Sequence, residues 1–166
     1  MEIIEERISA AAKEIVRAAA GKFSVCGAES CTGGAIASAI VSIGGASAVF
    51  KGSAVCYCDE AKMRILGVAE STLLNHFAES AECAAEMAEG ARKIYNADIA
   101  FASTGFLDAN TGTKPAELAG TVFLAFATKD GTSVQTLKLD SAAERNFNRK
   151  LCVLTALKKI LTFGYI

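Results

Sequence analysis

The sequence predicts an α/β domain of three layers, with helices on both faces of a mixed, mostly parallel sheet. Two patterns carry that expectation. Stretches of helical period alternate with short β-prone apolar runs as far as Ser103, and a hairpin signature, Lys129-Asp130-Gly131, follows them. The third observation is compositional. The chain has 166 residues and is 52% hydrophobic, with alanine and other small residues supplying much of that share, which suits close packing of helices on a sheet. This length fits one domain over residues 1–166, large enough to bury a core.

Residues 2–20 place Ile3, Ile4, Ile8, Ala11, Ala12, Ile15 and Val16 at helical spacing, and Gly21 stops that helix. Phe23 to Gly27 is a first strand. Thr32 is the expected cap of a helix from Gly33 to Ser42, which ends near Gly44-Gly45. Val49 to Tyr57 reads as a second strand with Gly52 at a bulge. Asp59 is the expected cap of a short helix that carries Lys62, Met63, Ile65 and Leu66 and stops at Gly67.

A second short helix covers Ser71 to His76. Ser80 caps a longer one, with Cys83, Ala84, Met87, Ala88, Ala91 and Ile94 along one side. Ile99 to Ser103 is a third strand, and Thr104 to Ala119 is a polar, turn-rich loop. Thr121 to Thr128 pairs with Ser133 to Leu139 in the hairpin, and residues 141–162 form the last helix. If the first three strands are parallel neighbours, their exits converge on one edge of the sheet, where α/β proteins build sites.

Composition narrows the function classes. Net charge is −1 with no basic block, tryptophan is absent and aromatics are sparse, which argues against a nucleic-acid surface. The N-terminus is a charged amphipathic helix rather than a signal peptide. An uncharged run from Cys31 to Phe50 is too rich in glycine, serine and alanine for a membrane span. Cys26, Cys31, Cys56, Cys58, Cys83 and Cys152 form no C-x-x-C pair, and no histidine cluster completes a metal site, so reduced thiols in a cytoplasmic protein are expected.

The stretch Ala28-Glu-Ser-Cys-Thr-Gly-Gly34 passes from strand to helix. Ser30 there can be a nucleophile, part of a phosphate cradle or a residue of a tight turn, and free N–H groups at residues 31–34 can bind negative charge. A serine nucleophile needs a base. His76 is the only histidine and sits among apolar residues, as a packing residue would. Lys62 lies in the first turn of its helix, where the dipole and partial burial both disfavour an ammonium. Tyr57, at the preceding strand end, can relay a proton or orient the hydroxyl. Arg145, Arg149 and Lys150 crowd the start of the last helix, either as solvated partners of Glu144 and Asp140 or as ligands of an anion.

The segments AESCTGG and AVFKGSAVCYCDEAKMRILGV, the H…AEMAEGAR run and the STG after the third strand resemble the CinA (competence/damage-inducible) C-terminal domain family. The likeness covers nearly the whole chain in the same order. It implies an α/β/α amidase domain over 1–166 that converts nicotinamide mononucleotide to nicotinate mononucleotide and ammonia, in pyridine-nucleotide salvage. By position it implies Ser30 as nucleophile, with Lys62 and Tyr57 handling its proton. Cys31, Thr32, Gly33, Gly34, Thr104 and Gly105 would lie at the substrate, and Arg145 and Arg149 would be phosphate ligands. No metal or organic cofactor is implied, and family members are commonly dimeric.

Three segments depart from the family pattern. Phe106, Leu107, Asp108 and Ala109 stand where the family has I-A-G-P, and Ala116-Glu-Leu-Ala119 enlarges the approach to Gly120. The family's H-G-A-V-S-E is here His76-Phe-Ala-Glu-Ser-Ala81, and its G-D-R is Ala143-Glu144-Arg145. Glycines permit close backbone approach to a ligand, which leucine and aspartate restrict. Changed pocket walls around a kept serine and lysine fit altered substrate, reduced activity or a retained binding role.

Overall fold

The computed structural model describes residues 2–163. Helix α1 (Glu2–Ala19) turns Ile4, Ala11, Ala12 and Ile15 inward and ends before Gly21, whose φ of +70° suits a glycine. Strand β1 (Val25–Glu29) then enters the centre of the molecule with all five residues buried. It pairs in parallel with β2 (Phe50–Val55) on one side and β3 (Ile99–Gly105) on the other. Strands β4 (Thr121–Thr128) and β5 (Gly131–Lys138) add the antiparallel hairpin, so the five-stranded sheet runs β2-β1-β3-β4-β5.

The remaining helices are α2 (Ala35–Val41), α3 (Asp59–Leu66), α4 (Glu70–His76), α5 (Ala81–Tyr95) and α6 (Arg145–Phe163). Period-two alternation in the strands sorts them into two layers. Val25, Phe101, Val122, Leu124 and Phe126 face α1, α2 and α6. Cys26, Ala28, Ala100, Ala102, Ala125 and Ala127 face α3, α4 and α5. That second face is built almost wholly of alanine, so α5 lies close against it with Met87 fully buried.

Gly27 stands opposite Phe101, and a Cβ there would run into the Phe101 ring. The expected bulge is present beside Gly52. Val25 pairs with Phe50 and Cys26 with Gly52, leaving Lys51 as the extra residue. The parallel arrangement puts the ends of β1, β2 and β3 at one edge of the sheet, at Glu29, Val55 and Gly105.

Several boundaries differ from the sequence reading. Thr32 does not cap α2; Gly34 does, in the left-handed region, and the Thr32 hydroxyl turns inward. Asp59 is the first residue of α3, whose cap is Cys58 without a side-chain bond. Helix α6 begins at Arg145 rather than near residue 141. The Asp140 and Glu144 carboxylates accept from the N–H groups of Ala142, Asn146 and Phe147 and hold the intervening residues in a turn. The uncharged run from Cys31 to Phe50 is broken into the seven-residue α2 and turns. Among the described residues, no helix is long and apolar enough to cross a membrane.

Candidate active site

The site is organised from below by Glu29, the last residue of β1, which sequence reasoning left without a role. Its carboxylate is completely buried. It accepts from the backbone N–H groups of Ile36 at 3.0 Å and Ala37 at 2.9 Å, and from the Thr32 hydroxyl at 2.7 Å. Thr32 in turn stands 2.6 Å from the Ser103 hydroxyl, which must donate because the Thr32 proton is spent on Glu29. Glu29 therefore supplies the negative charge that the start of α2 favours. The Ser30 N–H donates to the Ser103 carbonyl at 2.9 Å, and the Gly33 N–H donates to the Ser30 carbonyl at 3.0 Å. Ser30 is thus held at both ends of its peptide while its hydroxyl is left for the cavity.

Lys62 meets it there. The side chain is only 2% exposed, and Nζ donates to Ser30 Oγ at 3.3 Å and to the Cys56 carbonyl at 3.1 Å. Helix α3 can bring the lysine in because Gly90 of α5 lies against the Leu66 backbone, where a Cβ would clash. Lys62 has no carboxylate partner among the described ion pairs. The pair has the geometry of a nucleophile beside a base.

Beside the pair opens a cavity of about 500 Å³, lined among others by Ser30, Cys31, Tyr57, Glu79, Asp108 and Arg145. A second cavity of about 420 Å³ adjoins it across Cys31, Tyr57 and Arg145 and reaches Gly33 and Arg149. Arg145 donates to Asp108 at 2.7 Å and to the Tyr57 hydroxyl at 3.4 Å. The guanidinium holds the Asp108 carboxyl below its ordinary range, and that bond raises Arg145 in return.

The sequence candidates separate accordingly. Ser30, Cys31, Tyr57, Gly105 and Arg145 share the main cavity, with Lys62 Nζ bonded to Ser30, and Gly33 and Arg149 line the adjoining one. Tyr57 is 66% exposed and bonds Arg145, with no hydrogen bond to Ser30 or Lys62, so the expected relay position is not adopted. Thr32 serves the Glu29 network. Gly34 packs against Val55. Thr104 is buried and donates to the Ala78 carbonyl at 2.7 Å, which makes it an anchor for the chain between α4 and α5. Of the turn at residues 31–34, only the Gly33 N–H has a backbone acceptor among the described residues; those of Cys31, Thr32 and Gly34 have none. Lys150 pairs with Glu5 at 2.6 Å, away from both cavities.

Two potential rivals of Ser30 are removed by their surroundings. Burial pushes the Cys31 thiol up to about 12, so it is not a thiolate near neutrality. His76, at the end of α4, faces Glu82 at 3.7 Å and does not line the Ser30 cavity. All six cysteines are free.

The chain matches the model of the CinA C-terminal domain over residues 7–163. A CinA-like protein of Fervidobacterium nodosum is 42% identical over 134 residues, which are 81% of this chain and 32% of that protein. A putative competence-damage inducible protein of Acetivibrio thermocellus is 46% identical over 131 residues, 78% of this chain and 30% of its own. The chain thus spans just under a third of the length of these curated relatives. Among solved structures, the competence/damage inducible protein CihA of Agrobacterium tumefaciens is 35% identical with a TM-score of 0.84, covering 94% of each chain. A CinA superfamily protein of Klebsiella pneumoniae is 27% identical with a TM-score of 0.87, covering 95% of this chain and 98% of its own.

Proposed function

Because the chain belongs to the CinA C-terminal domain family, we propose that it is an amide hydrolase of the nicotinamide-nucleotide amidase type, converting nicotinamide mononucleotide to nicotinate mononucleotide and ammonia. The observation that carries the reading is the 3.3 Å hydrogen bond between buried Lys62 and Ser30 at the floor of the cavity. Neutral Lys62 takes the Ser30 proton as Oγ bonds to the carboxamide carbon, and the carbonyl electron pair moves to oxygen. The N–H groups of Cys31, Thr32 and Gly34, which have no backbone acceptor among the described residues, are the donors available to such an oxyanion. The C–N bond then breaks, with the proton on Lys62 passing to the leaving nitrogen to give ammonia. Water, deprotonated by the same lysine, releases the acid and restores Ser30.

Arg149 lines the adjoining cavity and carries no ion pair among the described residues, which suits it to a phosphate. Arg145 would have to give up Asp108 to do the same. That ion pair favours a second reading, a pyridine-nucleotide-binding domain without turnover. Ammonia release measured with nicotinamide mononucleotide and with free nicotinamide, beside thermal shift with each, separates the two. Release that disappears in Ser30→Ala supports the amidase; stabilisation without release supports the binding protein, and normal turnover in Ser30→Ala excludes the serine mechanism.

A further inference from the structure

Three charged side chains stand on the wall of the Ser30 cavity: Glu79, Asp108 and Arg145. Asp108 and Arg145 answer each other. Glu79 has no ion pair among the described residues. Its Oε2 is buried without a hydrogen-bond partner among the described residues. A half-buried carboxylate with no cation beside it leaves its negative charge uncompensated, so a cation that enters the cavity gains by balancing it.

The position of Glu79 is built rather than accidental. It lies in the link between α4 and α5, where Phe77 takes a positive φ of 68°. The Ala78 carbonyl is held by the Thr104 hydroxyl at 2.7 Å. Ser80, the next residue, caps α5 through the Cys83 N–H at 3.1 Å and donates to the Phe77 carbonyl at 2.9 Å. With its two neighbours tied on both sides, Glu79 is fixed against the same space as Ser30. With Arg145 committed to Asp108, the charge left on that wall is negative.

We propose that Glu79 is the specificity residue of this cavity, receiving the positively charged ring of a carboxamide ligand, so that the site selects cationic over neutral amides of the same shape. The carboxamide part rests on the amidase reading; the preference for a cation is a statement about binding and can be tested without turnover. Complementary charge beside a half-buried carboxylate amounts to about tenfold in affinity.

The test compares 1-methylnicotinamide, a pyridinium cation, with neutral nicotinamide, using calorimetric titration of the Ser30→Ala chain so that neither is consumed. The cation should bind about tenfold more tightly, and the difference should vanish in Glu79→Gln and in Glu79→Val. Folding of each variant is checked by its melting temperature. Equal affinity for the two ligands, or a preference that survives both substitutions, overturns the proposal. So does a Glu79→Gln enzyme whose kcat falls while KM and the preference stay, because the carboxylate would then act on water. A cation preference in a chain that releases no ammonia sinks the amidase reading and leaves this one standing.

Discussion

Arg145 reaches Asp108 at 2.7 Å on the wall of the Ser30 cavity, so the loop after β3 and the start of α6 are tied by one ion pair. A phosphate bound by Arg145 must compete with that carboxylate. Asp108→Asn should therefore lower KM for nicotinamide mononucleotide by about three- to tenfold, while KM for the unphosphorylated nucleoside changes little. The pair is partly exposed, and its removal should cost no more than about 1 kcal/mol. Its pH dependence has a definite sign. Asp108 is depressed below 3.8, so its stabilisation is fully present above that value and is lost as pH falls through the lower, folded value. Melting curves of Asp108→Asn and the parent should keep a constant gap from pH 5 to 8, narrowing only in strong acid.

Glu29 is the support of the turn that carries Ser30. Glu29→Ala leaves the N–H groups of Ile36 and Ala37 and the Thr32 hydroxyl without their buried acceptor. A loss of about 2–4 kcal/mol is expected, or a drop in melting temperature of roughly 5–15 °C for a domain of this size. Glu29→Gln keeps one carbonyl oxygen and should lose less. Thermal unfolding followed by circular dichroism checks both.

Gly90 sits inside α5, where alanine would ordinarily add about 1 kcal/mol of helix propensity. Its contact with the Leu66 backbone reverses the sign. Forcing α3 and α5 apart should cost about 1–3 kcal/mol before that gain, and α3 carries Lys62. Gly90→Ala should thus melt below the parent and release ammonia more slowly. A more stable Gly90→Ala chain would contradict the packing described.

Thiol chemistry gives a separate check. Cys58 is exposed, while Cys26, Cys31 and Cys83 are buried with thiols pushed up to about 12. Iodoacetamide on the native chain near neutral pH should label Cys58 first, leaving Cys31 unmodified although it lines the cavity. Peptide mapping reads the order of labelling.

Local sequence carried the parts of this picture that depend on local physics. Alternating apolar periods, Gly21 after α1, the bulge at Gly52 and the Lys129-Asp130 hairpin turn all lie where propensity and backbone freedom put them. Ser30 and Lys62 could be singled out because one sits at a strand-to-helix turn and the other in the first turn of a helix, and the fold joins them across 32 positions. What escaped depends on partners distant in sequence. Nothing near Glu29 marks it as a buried acceptor until β1 and α2 are packed, and Thr32 was read as a cap because its inward partners, Glu29 and Ser103, lie on two strands. Tyr57 looked like a relay until Arg145, 88 positions away, took its hydroxyl. The missed cavity charges, Glu79 and Asp108, lie in the segments where the chain departs from its family's pattern. A carboxylate in place of an expected apolar residue or glycine was the signal available for them.

The central claim is that Ser30, activated by Lys62, forms the bond to the carboxamide carbon. Its most direct test is rapid acid quenching during turnover of nicotinamide mononucleotide, followed by peptide mass analysis of the parent and the Lys62→Met chain. The account predicts an acyl adduct on the peptide containing Ser30 in the parent and none in Lys62→Met. Ammonia release by the parent with no adduct under any quench, or an adduct that maps to Cys31, would contradict it.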